Sequence, residues 1–322
     1  MKAYVLGDSG ATIVDVVTPK PEEVQVLVRV RACGLNRADI LMRNGTGKGF
    51  VLGSGAVLGS EWSGEVLEVG AGARGLKVGD RVMGTGRGAF AEFKVVDYGQ
   101  LFPVPSNMAF EEAASLPVAL ITMHNAVITV GSLQAGQTVL IQGASSGVGL
   151  MAMQIAKFKG ARLVIGSSTD AYRRGRLKDY GADLAVDSSD PTWVEQALAA
   201  TNGEGVDLII DQVSGKVANQ NLAATRVKGR IVNVGRLGGE EGRFDFDLHA
   251  ARRITYIGVS GRNRTLEEVR EIYDETRRDL WSAVESRKLM LPIDRTFRFD
   301  DIDQAFAHME ANKHLGKIVL TM

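Results

Sequence analysis

Residues 138–149 read TVLIQGASSGVG, an apolar run that ends in a glycine-rich turn with two adjacent serines. Gly143, Gly147 and Gly149 give the spacing G-x-x-x-G-x-G. A helix that starts directly after a strand presents unpaired backbone N–H groups and a positive dipole end, which bind anions such as a pyrophosphate. Taken alone, the spacing also fits a plain strand–helix turn. Followed by further strand–helix units, it predicts a dinucleotide-binding turn.

Around this turn, short apolar runs alternate with amphipathic segments. We predict strands at 138–142, 162–166, 183–187, 206–211, 230–234 and 254–259. We predict helices between them near 148–159, 171–180, 191–200 and 215–227. Strand and helix alternating at this spacing indicate an α/β chain with a Rossmann doubly wound parallel sheet.

The two ends of the chain have a different pattern. Apolar and polar residues alternate over 24–31, and glycines crowd residues 45–88, which indicates a β-rich, turn-rich region. Near the C-terminus, the sequence TLEE from Thr265 has the form of a capping box, which predicts a helix to about Arg287. A second helix is expected from Asp301, with an apolar face at the spacing i, i+3, i+4, i+7 (Ile302, Ala305, Phe306 and Met309), and a closing strand follows it. We therefore predict one domain at 1–121 with 267–322, and a Rossmann domain at 122–266.

Composition excludes several classes of function. The 322 residues carry a formal net charge of zero, so no basic surplus favours nucleic acid. A single cysteine, Cys33, permits neither an intramolecular disulfide nor a zinc site of several cysteines. The N-terminal apolar run is too short for a signal peptide, and no apolar stretch is long enough to span a bilayer. We expect a cytoplasmic protein that binds neither nucleic acid nor membrane.

The end of the second predicted strand bears on the choice of dinucleotide. An NAD site usually has an acidic residue there, whereas a 2′-phosphate favours hydroxyls and a cation. The sequence offers Ser167 and Ser168, then Arg173 and Arg174, while Asp170 falls after the strand end. Charge pairing therefore favours NADPH; a solvated basic helix face is the alternative explanation. In the glycine turn itself, Ser145 and Ser146 are expected to add hydroxyl donors for the pyrophosphate.

Several groups of residues, spread in order along the chain, resemble the medium-chain dehydrogenase/reductase superfamily. They are ACGLNRAD (Ala32–Asp39), LGSEWSGEVLEVG (Leu58–Gly70), VGDRV (Val78–Val82), LPVALITMHNA (Leu116–Ala126), GASSGVG and MEANKHLGKIVL (Met309–Leu320). The match is best to the zinc-independent quinone oxidoreductase branch, the zeta-crystallin type. The resemblance implies a GroES-like fold for the β-rich domain.

Zinc alcohol dehydrogenases of this superfamily have Cys at the position of Asn36 and His at the position of Ser60. They also carry a four-cysteine structural zinc loop, which this sequence lacks. Neither Asn nor Ser is a good zinc ligand, so we expect no metal. Without zinc to lower the pKa of an alcohol, reduction of an electron-poor acceptor is the expected reaction.

The resemblance also implies which residues meet the cofactor. Asn36 and Thr122 correspond to positions at the nicotinamide end. Gly147 and Val148 correspond to positions along the pyrophosphate, and Ser168 and Arg173 to positions that hold the 2′-phosphate. The positions around the nicotinamide cleft are those of Gly235, Val259 and Lys317.

Seven residues are candidates for lining the substrate pocket, although several of them also fit a purely structural role. They are Asn36, Asp39, Leu41, Arg43, Trp62, Phe90 and Arg264. Most arginines are solvated, aromatic residues in such positions are more often core, and Asp39 fits a helix-start hydrogen bond equally well. No proton donor is assigned, and water is one source.

Two departures from the family pattern weaken specific assignments. Many relatives have Tyr at the position of Leu41, which in enoyl-thioester reductases is linked to proton delivery or substrate positioning. Another Tyr, near the adenosine phosphate, is replaced by Ser188 or a residue close to it. The first departure disfavours an enoyl-thioester substrate, and the second loosens the assignment of NADPH.

The expected function is zinc-free hydride transfer from NADPH to a quinone or another electron-poor enone. One alternative is reduction of an activated alkene such as an enal, a haloacrylate or an enoyl-thioester. For a CoA thioester, Lys48 and Arg87 offer few cations near the pocket. Another alternative is a crystallin-like protein that binds NADPH with little turnover. The apolar stretch ITYIGV at 254–259 predicts an edge strand that pairs with its copy in a homodimer.

Overall fold

The computed structural model describes residues 1–45 and 52–322. The chain divides into two compact units. Unit 1 consists of Met1–Val118, Arg264–Glu285 and Met290–Met322, and unit 2 consists of Ala119–Asn263 and Ser286–Leu289.

The elements follow one another in chain order. The N-terminal elements are β1 (Lys2–Gly7), β2 (Gly10–Asp15), β3 (Gln25–Gly34), α1 (Arg37–Arg43), β4 (Glu61–Val69), β5 (Arg81–Thr85), β6 (Phe93–Asp97), β7 (Leu101–Pro103) and α2 (Phe110–Ala113). The central elements are α3 (Pro117–Met123), β8 (Thr138–Ile141), α4 (Gly147–Phe158), β9 (Leu163–Ser167), α5 (Ala171–Arg176), β10 (Leu184–Val186), α6 (Trp193–Ala200), β11 (Val206–Asp211), α7 (Ala218–Ala224), β12 (Thr225–Asn233), α8 (Phe246–Arg252) and β13 (Thr255–Gly258). The C-terminal elements are α9 (Leu266–Glu285), β14 (Ile293–Arg298), α10 (Ile302–Glu310) and β15 (Lys317–Thr321).

The main sheet of unit 1 orders its strands β14-β15-β3-β4-β5-β7, with β6 paired to β3. The alternation expected over 24–31 is present in β3, where Val26, Val28 and Val30 are buried. They pack in a core with Trp62 and with the apolar face of α10. As its i, i+3, i+4, i+7 spacing predicts, that face buries Ile302, Ala305, Phe306 and Met309. The C-terminal strand β15 pairs with β3 in the interior of the sheet, between β14 and β3.

The predicted capping box forms at the start of α9. The backbone N–H of Thr265 donates to Oε2 of Glu268 at 2.7 Å, and the backbone N–H of Glu268 donates to Oγ1 of Thr265 at 3.2 Å. These two bonds satisfy groups that a helix start leaves unpaired. The helix ends at Glu285, close to the predicted end at Arg287.

Unit 2 contains the predicted Rossmann sheet. Its strand order is β10-β9-β8-β11-β12-β13, and every pairing is parallel. Counted along the chain, this is the doubly wound order 3-2-1-4-5-6, in which the direction of winding reverses between β8 and β11. Each predicted strand corresponds to a strand of this sheet, and β13 is an edge strand, as expected.

Three local predictions differ from the structure. The helix predicted over 215–227 ends at Ala224, because residues from Thr225 pair in parallel with β11 as the start of β12. The helix predicted over 171–180 ends at Arg176 and continues as a 3₁₀ turn until Gly181, which has φ 97°. Helix α8 was not predicted, because Phe246 is exposed and the segment has no buried residue. Within residues 1–45 and 52–322, no helix is both long and apolar enough to cross a membrane.

Candidate functional site

The carboxyl edge of the unit 2 sheet gathers most of the residues predicted to hold a cofactor. Parallel strands end at the same edge, and ligands of doubly wound folds bind where the winding reverses. The segments following β8, β9, β12 and β13 end or turn there. The predicted residues that they carry are Ser145, Ser146, Gly147, Val148, Ser167, Ser168, Gly235 and Val259. Thr122 lies elsewhere in unit 2, half-buried on α3.

The turn between β8 and α4 requires its glycines. Gly143 has φ 68°, a left-handed conformation that favours glycine. A Cβ on Gly149 would lie 2.6 Å from the carbonyl oxygen of Gly143. Ser146 is the N-cap of α4; its Oγ accepts from the backbone N–H of Gly149 at 3.1 Å. Gly147 and Val148, in the first turn, therefore present the N–H groups that a helix start leaves unpaired.

Four buried or nearly buried polar side chains support this turn, and we call them the amide network: Gln142, Ser167, Gln212 and Asn221. Oγ of Ser167 donates to Oε1 of Gln142 at 2.6 Å, and Nε2 of Gln142 donates to Oδ1 of Asn221 at 2.8 Å. Nε2 of Gln212 donates to the carbonyl of Gln142 at 3.1 Å, and its Oε1 lies 3.0 Å from Oγ of Ser146. The network links β8, β9 and β11 without any charge. Of its members, sequence analysis identified Ser167 alone.

The segment after β9 combines hydroxyls with arginines. Oγ of Ser168 donates to Oγ of Ser145 at 3.1 Å. Arg174 is held by the carbonyl of Ser168 and by Asp187, each at 2.9 Å. Nε of Arg173 is buried without a hydrogen bond, and its nearest recorded carboxylate oxygen, Oδ1 of Asp170, is 3.6 Å away. The guanidinium group of Arg173 therefore has fewer hydrogen-bond partners than that of Arg174.

Asp170 has a structural role, which explains why it follows the strand. Its side chain caps α5 by accepting from the backbone N–H of Arg173 at 2.8 Å. This hydrogen bond is the main cause that holds the pKa of Asp170 below its ordinary value. The carboxylate is thus committed to the start of its own helix.

Asp211, the last residue of β11, is a buried carboxyl that sequence analysis missed. Its Oδ1 accepts from the backbone N–H groups of Val213 and Ser214 at 2.9 and 2.8 Å. Burial raises the pKa of Asp211, and these N–H groups oppose the shift. Nearby, a Cβ on Gly235 would lie 2.7 Å from the carbonyl of Gln212, so the chain passes close to β11 there.

Unit 1 contains a second buried polar group, which we call the ionic cluster: Asn36, Asp39, Ser60, Glu61 and Lys317. Nζ of Lys317 lies 2.5 Å from Oε2 of Glu61, and both side chains are almost completely buried. Lys317 also donates to Oδ1 of Asn36 at 2.8 Å, and Nδ2 of Asn36 donates to Glu61 at 3.0 Å and to Ser60 at 3.3 Å. The second oxygen of Glu61 accepts from the backbone N–H of Val118 at 2.7 Å. Every charged atom of the Glu61–Lys317 pair thus has a partner.

Asp39 lies on α1 and is fully buried. Its Oδ2 accepts from the backbone N–H of Asn36 at 2.7 Å, which is the helix-start bond that the sequence allowed. Burial raises the pKa of Asp39 to about 7, against the opposing effects of the Asn36 amide, Ser60 and Lys317. Near neutral pH this carboxyl is therefore partly protonated.

Glu61 is the central residue of the ionic cluster, and sequence analysis did not select it. The available signal was its position, since LGSEWSG places one carboxylate in the middle of an otherwise uncharged segment. A buried carboxylate requires a cation, and the sequence does not show which of the 38 Lys and Arg residues it is. Lys317 was selected for the cofactor; in the structure its ammonium group contacts Glu61 and Asn36.

The remaining pocket candidates occupy varied environments. Trp62 and Phe90 are completely buried in the core of unit 1, the structural alternative that the sequence allowed. Arg43 pairs with Asp303 at 3.1 Å and its guanidinium lies 4.8 Å from the ring centroid of Phe306. Leu41 and Arg264 are half-buried. Lys48 lies outside the described residues.

The described residues contain no group of three or more His, Cys, Asp or Glu side chains placed to hold a metal ion. The side chains of Asn36 and Ser60, which stand where zinc alcohol dehydrogenases have Cys and His, are hydrogen-bonded to each other. An amide, a hydroxyl and an ammonium group do not form a zinc-binding set. The residues present therefore do not fit a catalytic zinc.

Comparisons with known proteins agree with this fold. Residues 22–106 match the family described as "Alcohol dehydrogenase GroES-like domain", and residues 147–276 match that described as "Zinc-binding dehydrogenase". An alcohol dehydrogenase superfamily protein from Novosphingobium aromaticivorans is 30% identical, with a TM-score of 0.91 over 100% of this chain and 99% of that one. CurK enoyl reductase is 25% identical, with a TM-score of 0.89 over 100% and 99% of the two chains. A quinone oxidoreductase from Pseudomonas syringae is 25% identical, with a TM-score of 0.87 over 100% of both chains.

Curated relatives include much longer proteins. Polyketide synthase GfsB of Streptomyces halstedii is 32% identical over 303 residues, which are 94% of this chain and 5% of that protein. This chain thus spans a small part of that relative. The fold and site define an oxidoreductase with a doubly wound domain and a GroES-like domain. The chain belongs to the medium-chain dehydrogenase/reductase superfamily, in its zinc-independent branch.

Proposed function

We propose that this chain is a zinc-free reductase that uses NADPH to reduce an electron-poor acceptor in which a carbonyl is conjugated to a double bond. The observation that carries the proposal is the ionic cluster. The positions of Asn36 and Ser60 belong to a hydrogen-bonded set whose cation is Lys317, so no metal is available to lower the pKa of an alcohol. Such a site suits an acceptor that is already electrophilic.

The residues of unit 2 fit a dinucleotide. Oγ of Ser146 satisfies the backbone N–H of Gly149, and the N–H groups of Gly147 and Val148 at the start of α4 are those that a phosphate would meet. Gly147 and Val148 would hold the pyrophosphate, and Ser145, Ser168 and Arg173 would hold a 2′-phosphate. The buried, unbonded Nε of Arg173 supports the latter assignment. When bound, the nicotinamide supplies the hydride.

The chain itself would supply position and a polar surface for the acceptor. Without a metal, proximity and orientation are the largest contributions that remain. Asn36 and Ser60 are half-buried, whereas Glu61, Lys317 and Asp39 lie behind them in the core. Asn36 is fixed by bonds to three side chains, so its amide keeps one orientation. We propose that Asn36 and Ser60 form the polar wall that the acceptor contacts.

A quinone is the first candidate acceptor, supported by the likeness to a quinone oxidoreductase and by Leu41, which replaces the Tyr of many relatives. An activated alkene is the second candidate. It is supported by the likeness to CurK enoyl reductase and to polyketide synthases. In both acceptors, hydride addition places negative charge on a carbonyl oxygen.

The test is oxidation of NADPH, followed at 340 nm, against a 1,4-naphthoquinone, a simple enone and an enoyl-thioester. Faster oxidation with the quinone would support the first candidate, and turnover of the enone or thioester alone would support the second. Tight binding of NADPH with no turnover of any acceptor would contradict the proposed reaction. That result would favour a protein that binds NADPH with little catalysis.

The preference for NADPH has its own test. Replacing Arg173 by Gln should weaken NADPH binding about tenfold and leave NADH binding nearly unchanged, because one charged hydrogen bond to a phosphate is lost. Arg174→Gln is the matched control, since Arg174 already pairs with Asp187. Both affinities can be measured by quenching of protein fluorescence. Equal loss of NADH and NADPH binding in Arg173→Gln would contradict the assignment.

We also propose that the protein forms a homodimer through β13 and acts in the cytoplasm. The edge position of β13 and its apolar sequence support the dimer, since an exposed edge strand invites pairing. Sedimentation equilibrium at micromolar concentration tests it, and a monomeric mass would contradict it.

A further inference from the structure

Ser214 has a backbone conformation that is unusual for a residue with a side chain. It lies in the turn after β11, with φ 58° and ψ −147°. This combination borders a region that is essentially restricted to glycine, and another residue is held there only when its surroundings fix it. Arg253, which also has a positive φ, has ψ 44° and so lies in the ordinary left-handed region. The conformation of Ser214 therefore calls for an explanation.

Hydrogen bonds from two strands hold Ser214 in this conformation. Oδ1 of Asp211 accepts from the backbone N–H groups of Val213 and Ser214 at 2.9 and 2.8 Å. Oγ of Ser214 donates to the carbonyl of Gly235 at 2.6 Å and accepts from Nδ2 of Asn233. The side chain of Ser214 thus joins the turn after β11 to the end of β12 and the segment that follows it.

The segment after β12 also packs closely on this turn. A Cβ on Gly235 would lie 2.7 Å from the carbonyl oxygen of Gln212, and a Cβ on Gly242 would lie 2.5 Å from that of Gly215. The two backbones therefore approach as closely as glycine permits. The hydroxyl of Ser214, which bonds to Gly235, fixes the position of one backbone against the other.

The turn after β11 contacts the glycine-rich turn between β8 and α4. Oε1 of Gln212 lies 3.0 Å from Oγ of Ser146, the N-cap of α4. A Cβ on Gly143 would lie 3.6 Å from Cβ of Gln212 and 3.7 Å from Cγ2 of Val213. The strained turn is therefore part of the same edge of the sheet as the start of α4, where the pyrophosphate is proposed to bind.

The order of strands indicates which half of a dinucleotide reaches Ser214. The proposed sites for the pyrophosphate and the 2′-phosphate follow β8 and β9, so the adenosine half would lie over these two strands. The nicotinamide half would then extend the other way, over the carboxyl ends of β11 and β12, because these strands are on the opposite side of β8 from β9. Ser214 and Gly235 follow those two strands.

We propose that Ser214 is a positioning residue for the nicotinamide half of the cofactor. Its hydroxyl fixes the carbonyl of Gly235, and its strained backbone fixes the turn after β11. The nicotinamide half thus meets a surface that is already ordered, which lowers the cost of ordering on binding. This inference rests on the proposed function and adds to it a residue that acts on the reactive end of the cofactor.

The test compares NADPH with adenosine 2′,5′-bisphosphate, which keeps the adenosine and the 2′-phosphate but lacks the nicotinamide half. Titration calorimetry measures both dissociation constants for the wild type and for Ser214→Ala. This variant should bind NADPH about tenfold more weakly, because two hydrogen bonds that order the surface are lost, and should bind the bisphosphate within about twofold of the wild type. An equal loss for both ligands, or no loss for either, would overturn the positioning role.

Ser214→Gly separates positioning from stability. Glycine relieves the backbone strain and alanine keeps it, whereas both variants lose the hydroxyl bonds. Ser214→Gly should therefore unfold at a higher urea concentration than Ser214→Ala, yet bind NADPH no more tightly. Recovery of NADPH binding together with stability would indicate a purely structural role and overturn the inference. Ser132→Gly, at an exposed serine with φ 47°, is the matched control and should keep the wild-type affinities.

The outcomes also distinguish this inference from the proposed function. A wild-type protein that binds neither NADPH nor the bisphosphate overturns both. A wild type that binds NADPH, with Ser214→Ala and Ser214→Gly that bind it equally well, overturns the positioning role alone.

Discussion

The amide network of unit 2 and the ionic cluster of unit 1 satisfy buried polar atoms by different means. Gln142, Ser167 and Asn221 exchange hydrogen bonds between neutral groups. Glu61 and Lys317 bury opposite charges in contact. A neutral network loses a hydrogen bond when it is broken, whereas a broken ion pair leaves a charge in a medium of low polarity. The two regions should therefore differ in their response to mutation and to pH.

The largest effect is expected from removing the cation of the ionic cluster. Lys317→Met leaves Glu61 buried without a counter-ion and should lower the free energy of unfolding by about 3–5 kcal/mol. Adding Glu61→Gln to Lys317→Met removes the stranded charge and should restore part of that loss. Urea unfolding measures both variants. A Trp193→Phe background leaves Trp62 and Trp281, both in unit 1, as the fluorescent reporters.

If Lys317→Met and the double variant unfold at the same urea concentration, the comparison between ionic and neutral regions would not hold. That result would mean that the unpaired carboxylate of Glu61 does not by itself lower the free energy of unfolding.

The ionic cluster should also make stability depend on pH. The pKa of Asp39 rises from 3.8 to about 7 on folding, so between these values the folded state binds more protons than the unfolded state. The free energy of unfolding contributed by this group therefore falls as pH rises through this window, by at most about 1.4 kcal/mol per pH unit. The measurement is the difference between wild type and Asp39→Asn at several pH values. A difference independent of pH would contradict the raised pKa.

A smaller loss is expected in the amide network. Gln142→Leu removes the acceptor of the Ser167 hydroxyl hydrogen and the donor to Oδ1 of Asn221, and it should cost about 1–3 kcal/mol for each atom left unsatisfied. This loss should not vary between pH 5 and 8, because no charge is involved. Gln196→Leu, on the exposed surface of α6, is the control and should change stability by about 0.5 kcal/mol or less. Thermal unfolding at the two pH values compares the variants, and a pH-dependent loss would argue against a neutral network.

The smallest effect concerns the cap of α4. Ser146→Ala removes the side chain that accepts from Gly149 and should cost about 1 kcal/mol. Asp245→Ala removes the comparable cap of α8 and should cost a similar amount. Only Ser146→Ala should also weaken NADPH binding, measured by titration calorimetry. Unchanged binding would show that the cap stabilises the helix without shaping the phosphate site.

Local patterns predicted those parts of the molecule that neighbours in the chain determine. The Thr265 capping box and the apolar face of α10 both form as expected, because their partners are within one or two helical turns. The predictions failed where pairing with a strand distant in sequence determines the secondary structure of a segment. Residues 225–227 continue a helical pattern in sequence, yet they join β12 because β11 offers a parallel partner.

The same distinction applies to the candidate sites. The glycine-rich turn at 143–149 could be predicted from the sequence because its glycines and serines lie within seven consecutive residues. Glu61 was missed because its partner Lys317 is 256 residues away in the chain. Gln142, Gln212 and Asn221 were missed for the same reason, since amide side chains show their role only once β8, β9 and β11 align.

The sequence by itself determined the alternation of strands and helices in unit 2, the glycine-rich turn and the presence of Asn36 and Ser60 in place of Cys and His, because each depends on residue type and short spacing. Tertiary structure decided which buried charges pair. It brought β15 beside β3, and so placed Lys317 against Glu61 and Asn36. Burial then decided the pKa of Asp39, because removing a carboxyl from water changes its proton affinity by more than any neighbour in sequence does.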